Sequence, residues 1–324
     1  MNWDIENGKM NEMNEDCEQK YPYLYLLKKE IIYKVLKCPK ETIIPTNDIE
    51  AWNWSIGKSY QWIYNKIKIC KSQGIRCGPI GIFPEKTDYP VILKPIINLM
   101  GMGWGIEKAT CKKEYCINFK PGYFWMPYVE GDHLSCDFVM VKGEIKWYCC
   151  FQGYPSNGGM FDYWETQPFW KPSEKIIKWI TDNLIDYTGC LNIEIIGRGD
   201  SEVIIESHLR MGDINQLHSL ELMQNIINIY SGKEWELDSK FTIPKIYLVP
   251  VFVSNYLPMR LTGKEVLSLC NKIDIEKKHI YTYQIDPPHN KSINPPGGIR
   301  IVNLNTNCLE IGIEIRKHIL LKIK

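Results

Sequence analysis

The stretch that most constrains this chain is Leu191 to Asp213, LNIEIIGRGDSEVIIESHLRMGD. Two β-branched, apolar runs flank Gly197-Arg198-Gly199-Asp200-Ser201, which predicts a hairpin whose connection is longer than the tight two-residue kind. Side chains alternate along a strand, so Asn192 and Glu194 share one face of the first run, while Glu206, His208 and Arg210 share one face of the second. An apolar hairpin therefore carries a polar stripe. If Ile196 pairs near Ile204, Glu194 falls opposite Glu206, and two opposed carboxylates repel unless a cation sits between them. Mg²⁺ suits such a position because it takes one or two carboxylates together with substrate phosphates and retained waters, and Arg210 then stands as a phosphate clamp. The plain alternative is an edge strand with a solvated polar face.

Charge decides which partners are open. A formal net charge of +1 gives no bulk attraction for nucleic acid or a membrane surface. No stretch approaches the roughly 20 apolar residues of a membrane span. The opening MNWDIENGKMNEMNEDCEQ lacks a basic segment followed by an apolar one. The 12 cysteines are scattered, with Cys149-Cys150 the sole adjacent pair. They read as reduced thiols of a cytoplasmic protein rather than as a zinc or disulfide framework. A length of 324 residues leaves room for two or three domains.

Along the chain, residues 1–20 are polar and Asn-rich and predict a disordered tail, followed by a short α/β region over 21–61. Ile49 to Ser72 has helical spacings and ends at Gly74 in a C-cap position. Lys66 and Lys71 on it read by default as solvated lysines. Tyr89 to Ile96, YPVILKPI, is a short strand with Lys94 inside an apolar run, where an ammonium must reach water or an anion. Gly101, Gly103 and Gly105 then form a flexible flap whose N–H groups suit phosphates, or a mobile hairpin tip. Tyr123 to Glu130, an aromatic strand interrupted by Pro127, leads into the strands LSCDFVMV and IKWYCCF, an antiparallel meander. Tyr154 to Trp164 reads as a glycine-containing loop, Pro172 to Leu184 as a helix with Ser173 as N-cap, and Ser219 to Tyr230 as an amphipathic helix. From about Phe241 come a strand, IYLVPVFV, a helix over Thr262 to Lys272, the strand IYTYQI, the turn NPPGGIR and a last helix from Asn307 to Leu320. These predict a small C-terminal α/β unit over 239–324.

Asn65-Lys66 leading to Gly74, Lys94 with its glycine flap, the linker MPYVEG and the hairpin ending ESHLR stand in one order, and together they resemble the ATP-grasp superfamily over roughly Trp62 to Tyr230. The resemblance implies an α+β fold in which two subdomains with antiparallel sheets sandwich the nucleotide, within a core over 62–238. It sets adenine against Met126, Tyr128 and Val129, phosphates against Lys66, Lys94 and the Gly101 to Gly105 loop, and Mg²⁺ or Mn²⁺ on Glu194 and Glu206. Arg210 matches the family's phosphate-binding arginine, and His208 occupies the place of an Asn that is usually the third metal ligand. Asp132, in preference to His133, falls where many members hold the ribose hydroxyls. The implied activity is ATP-dependent joining of a small-molecule or peptide carboxylate, as an acylphosphate, to an amine. A kinase on the same scaffold and a non-catalytic nucleotide-binding scaffold are the alternatives.

Overall fold

The computed structural model describes residues 3–4, 9–10, 38–39, 41–99, 103, 105–156, 160–212, 220–237, 244–253, 263–273, 280–285 and 299–323. Trp3–Asp4 and Lys9–Met10 pair as a two-residue antiparallel ladder. Asn47, in an extended conformation, accepts a hydrogen bond from the Glu50 amide and starts helix α1 (Asp48–Ser55). The single helix expected over Ile49 to Ser72 is in fact two. Gly57 takes a φ of +78°, and Asn65 turns extended to cap α2 (Lys66–Ser72), its side chain accepting from Lys68 N. A 3₁₀ turn, Gln61–Tyr64, lies between them. Gly74, at a φ of +71°, closes the second helix as expected.

A small lobe follows. Strands β1 (Gly78–Pro79), β2 (Val91–Pro95) and β3 (Glu107–Ala109), helix α3 (Lys112–Ile117) and strand β4 (Tyr123–Pro127) build a four-stranded antiparallel sheet in the order β1-β4-β2-β3. Val91, Leu93, Ala109, Tyr115 and Trp125 form the core on one face. On the other, Phe124 and Met126 pack with Cys70 of α2 and with Val203 and Ile205.

The larger lobe is one antiparallel sheet. Its strands are β5 (His133–Val141), β6 (Glu144–Pro155), β7 (Phe161–Thr166), β8 (Gly189–Ile196), β9 (Val203–His208), β10 (Tyr247–Val253), β11 (Ile280–Ile285) and β12 (Ile299–Thr306), ordered β9-β8-β5-β6-β7-β10-β12-β11. Helices α4 (Glu174–Asn183), α5 (Leu220–Tyr230), α6 (Gly263–Ile273) and α7 (Leu309–Ile323) pack on it. Ser173 caps α4 as expected, accepting from Ile176 N. The segment read as a loop, Tyr154 to Trp164, is largely the end of β6 and the start of β7. The C-terminal strands extend the core sheet through Leu248, which pairs with Trp164.

One face carries Leu134, Cys136, Phe138, Leu191, Ile193 and Ile195, buried under α4 and the segment holding Ala51, Ile63 and Tyr64. The other carries Val139, Trp147, Phe151 and Leu248 under α5. Fully burying an aliphatic or aromatic side chain stabilises by about 1.5–3 kcal/mol, so register is firmly set wherever these layers close. Ser135, Asp137, Asn192 and Glu194 alternate with the first set and therefore lie on the second face, toward its polar end. Among the described residues the cysteines are all free thiols, and no helix is long and apolar enough to cross a membrane.

Candidate functional site

Glu194 pairs directly with Glu206. The route to that register differs from the sequence expectation, because Ile196 pairs with Val203 and Ile195 with Ile204. A bulge between Glu194 and Ile195 shifts the ladder by one residue. Without it Glu194 would face Ile205 and the carboxylates would be out of step, so the bulge re-aims the acidic pair.

Two lysines reach this pair from the small-lobe side. Lys66, the first residue of α2, is 3% exposed, and its Nζ lies 2.8 Å from Glu206 Oε1. The solvated reading of Lys66 is therefore overturned, while Lys71 is exposed as expected. Helical spacing shows which residues share a face but not what that face meets. Lys94, on β2, is 5% exposed and donates to the Ile205 carbonyl at 3.0 Å. Burial pushes its pKa down; Glu206 opposes that shift and Lys66 adds to it. A buried ammonium held by a carbonyl is poised for an anion.

Glu194 Oε2 lies 3.2 Å from His133 Nε2. Burial alone would raise the Glu194 carboxyl, but His133, with His208 and Lys94 beyond it, holds it down at about 2. His133 stands edge-on to Phe161 and Trp164, at centroid distances of 4.8 and 5.8 Å. Gly153 makes room for these rings, since a Cβ there would sit 2.5 Å from Phe161.

At the far end of the stripe stands a residue that the sequence did not single out. Asp48, at the start of α1, forms a two-point pair with Arg210: Nε to Oδ1 at 2.8 Å and Nη2 to Oδ2 at 2.6 Å. Arg210 Nη1 also donates to Met211 O at 2.8 Å. The same Asp48 Oδ1 lies 2.8 Å from His208 Nδ1, off the line of a well-formed hydrogen bond, and His208 Nε2 lies 3.6 Å from Glu206 Oε1. Burial would raise the Asp48 carboxyl, yet His208 and Arg210 outweigh it and hold the group well below the usual carboxylate range. On the same sheet face, Asp137 Oδ1 accepts from the stripe residue Asn192 through Nδ2 at 2.8 Å and from Gly212 N at 2.7 Å, a buried network whose Asp137 the sequence reading did not single out.

No protein-family model matches the chain, and no curated protein does. Among solved structures it superposes on carboxyaminoimidazole ribonucleotide synthase from Aspergillus clavatus complexed with ATP, at a TM-score of 0.59 and 11% identity, over 84% of this chain and 75% of that one. L-amino acid ligase from Bacillus licheniformis gives 0.53 and 13%, over 88% and 74%. The biotin carboxylase domain of Hydrogenobacter thermophilus 2-oxoglutarate carboxylase, in complex with MgADP, ADP and bicarbonate, gives 0.51 and 14%, over 78% and 63%. The chain has the ATP-grasp fold.

Within the ATP-grasp fold the remaining expected residues fall as follows. Met126 is buried against Cys70, Val129 is half-buried beside it, and Tyr128 is exposed, with Lys108 Nζ 3.6 Å from its ring centroid and its amide donating to Pro90 O. Asp132 pairs with Arg198, whose Nη2 donates to Gln152 Oε1 at 2.6 Å. Gly101 lies outside the described residues. Gly103 and Gly105 take φ of +63° and +76°, which glycine adopts freely, and a Cβ on Gly105 would also run into the Tyr123 hydroxyl. Among the described residues, no three His, Cys, Asp or Glu side chains gather into a ready-made metal cage. The opposed Glu194 and Glu206 nonetheless suit a hard divalent ion, which takes one or two carboxylates and completes its shell with phosphate oxygens and water.

Proposed function

We propose that this chain is an ATP-dependent ligase that activates a carboxylate as an acylphosphate and passes it to an amine, with a divalent cation held by Glu194 and Glu206. One observation carries the reading: two opposed carboxylates on the large sheet, met by two buried lysines from the small-lobe side. Two buried ammonium groups beside a half-buried pair of carboxylates are costly unless a ligand of matching charge uses them.

In this reading Lys66 and Lys94 hold phosphate oxygens and offset the charge that builds on the transferred phosphoryl group. The cation, when bound, neutralises phosphate charge and orients the nucleotide. A carboxylate oxygen of the substrate attacks the γ-phosphorus, the bond to the β–γ bridging oxygen breaks, and ADP leaves. The amine nitrogen then attacks the acyl carbon, phosphate departs, and the nitrogen loses a proton. No side chain of the protein forms a covalent bond in this sequence. Glu194, held ionised by His133, remains a ligand throughout the neutral range.

The test is thermal unfolding with cation alone, ATP alone and both, followed by product analysis. A ligand at 100 times its dissociation constant stabilises by about 2.7 kcal/mol, so a shift that needs both components is the expected result. ADP accompanied by free phosphate supports the ligase, whereas ADP with a phosphorylated acceptor moves the assignment to a kinase. No shift with any nucleotide leaves a scaffold that has kept the fold alone.

Lys94→Met supplies a second check. The ligand-free variant is expected to be at least as stable as the parent, because a thioether suits this burial better than an ammonium beside Lys66. Nucleotide affinity should fall by about 10- to 100-fold, the equivalent of one charge-assisted hydrogen bond. Unchanged affinity by titration calorimetry removes Lys94 from the site.

A further inference from the structure

We propose that Cys136 and Cys150 are a pre-aligned dithiol that closes to a cross-strand disulfide when a small-molecule disulfide such as oxidised glutathione reaches it. The proposal is independent of the nucleotide reading above.

Cys136 on β5 is the direct partner of Cys150 on β6, and their sulfurs lie 3.3 Å apart. Both belong to the core layer under α4, at 0% and 2% exposure. The backbone decides whether such a pair can be bridged. Cys150 O accepts from Gln167 N at 2.8 Å, on the β7 side of β6 and so away from β5, while Cys136 O faces Asn192 Nδ2 of β8 at 3.5 Å. Each carbonyl is turned away from the other residue, which makes theirs a non-hydrogen-bonded pair. Such pairs have Cα atoms about 4.5 Å apart with converging side chains, inside the roughly 4.4–6.8 Å that a disulfide spans. An S–S bond of about 2.05 Å then needs the sulfurs to close by only about 1.2 Å.

Strand alternation keeps other thiols out. Cys149 opposes Asp137 and so points to the other sheet face, and Cys190 lies in the core cluster of that face. Burial pushes the Cys136 thiol up, which keeps thiolate scarce while the core is closed. The reaction therefore goes through opening of the β5–β6 pair. The Cys150 thiolate attacks one sulfur of the oxidant, releasing one thiolate and leaving a mixed disulfide; on closing, the Cys136 thiolate attacks the Cys150 sulfur and expels the second. The two protein protons pass to the released thiolates, so one oxidant disulfide becomes two thiols as the protein gives up two electrons.

The test incubates the folded full chain with oxidised glutathione, in buffer and in urea below its unfolding transition. The chain is then quenched in acid, unfolded, alkylated and cut without reduction by trypsin, which cleaves after Lys142 and Lys146 between the two cysteines. The expected product is a peptide pair joined through Cys136 and Cys150, about 2 Da lighter than its two thiol peptides together and absent from Cys150→Ala. The exposed Cys111 and Cys116 report that the oxidant has acted. Mixed disulfides at those two while Cys136 and Cys150 stay alkylatable overturn the proposal, and so does Cys150 joined to another thiol in preference to Cys136. If Cys150→Ala fails to fold, the peptide map of the parent decides alone.

Discussion

Asp48→Ala is expected to lower stability by about 3–5 kcal/mol, the cost of removing one partner of a buried ion pair. Arg210, a buried residue, would lose its two-point acceptor, and His208 would lose the carboxylate beside Nδ1. The loss is expected to come from taking the two-point carboxylate from a buried guanidinium, so Asp48→Ala combined with Arg210→Met should recover much of it. Urea unfolding at neutral pH measures both. If the double variant is no more stable than the single one, that account fails. The same pair has a pH signature. Asp48 is held below its unfolded value of about 4, so its contribution is complete above that value and is lost as pH falls through the depressed folded pKa. Toward acid the deficit of Asp48→Ala should shrink.

The polar stripe was legible in the sequence because strand periodicity is two, and a carboxylate every second residue of a β-branched run has few meanings. The bulge beside Glu194 was not legible, since a one-residue shift leaves no trace in composition. It cancelled the error in the expected partner of Ile196 only because it falls between that residue and Glu194. Asp48 was hidden by distance: it meets Arg210 across 162 positions, and its own neighbourhood says only that a helix begins there. The burial of Lys66 is hidden from helical spacing for a related reason, since what covers it is a hairpin far along the chain. In the C-terminal unit, Ile299–Thr306 was passed over because Asn303 and Asn305 break its apolar run. Both are buried within the extended sheet, a placement that local polarity argues against. The strand Tyr123–Pro127 is readable because its aromatics and terminal proline mark a strand end whatever packs on it.

Glu206→Gln is expected to abolish cation-dependent ADP release, with turnover down by at least about 100-fold, the scale of losing one charge-stabilising group in a water-poor site. The substitution keeps volume and removes only charge. In the empty site Glu206 also neutralises Lys66 at 2.8 Å, so the same change should cost about 1–3 kcal/mol of stability. A loss of activity would then be open to the objection that the variant has partly unfolded. Glu206→Asp meets that objection: it keeps a negative charge beside Lys66 and so recovers much of the stability, but it withdraws the carboxylate by one methylene and should be scarcely more active. Stability and turnover are thus expected to part company across the two variants. That separation is what a carboxylate reserved for a cation predicts and what a purely structural Glu206–Lys66 pair does not. Cation-dependent ADP release within a few-fold of the parent, measured where circular dichroism shows both variants folded, would take Glu206 out of the metal site.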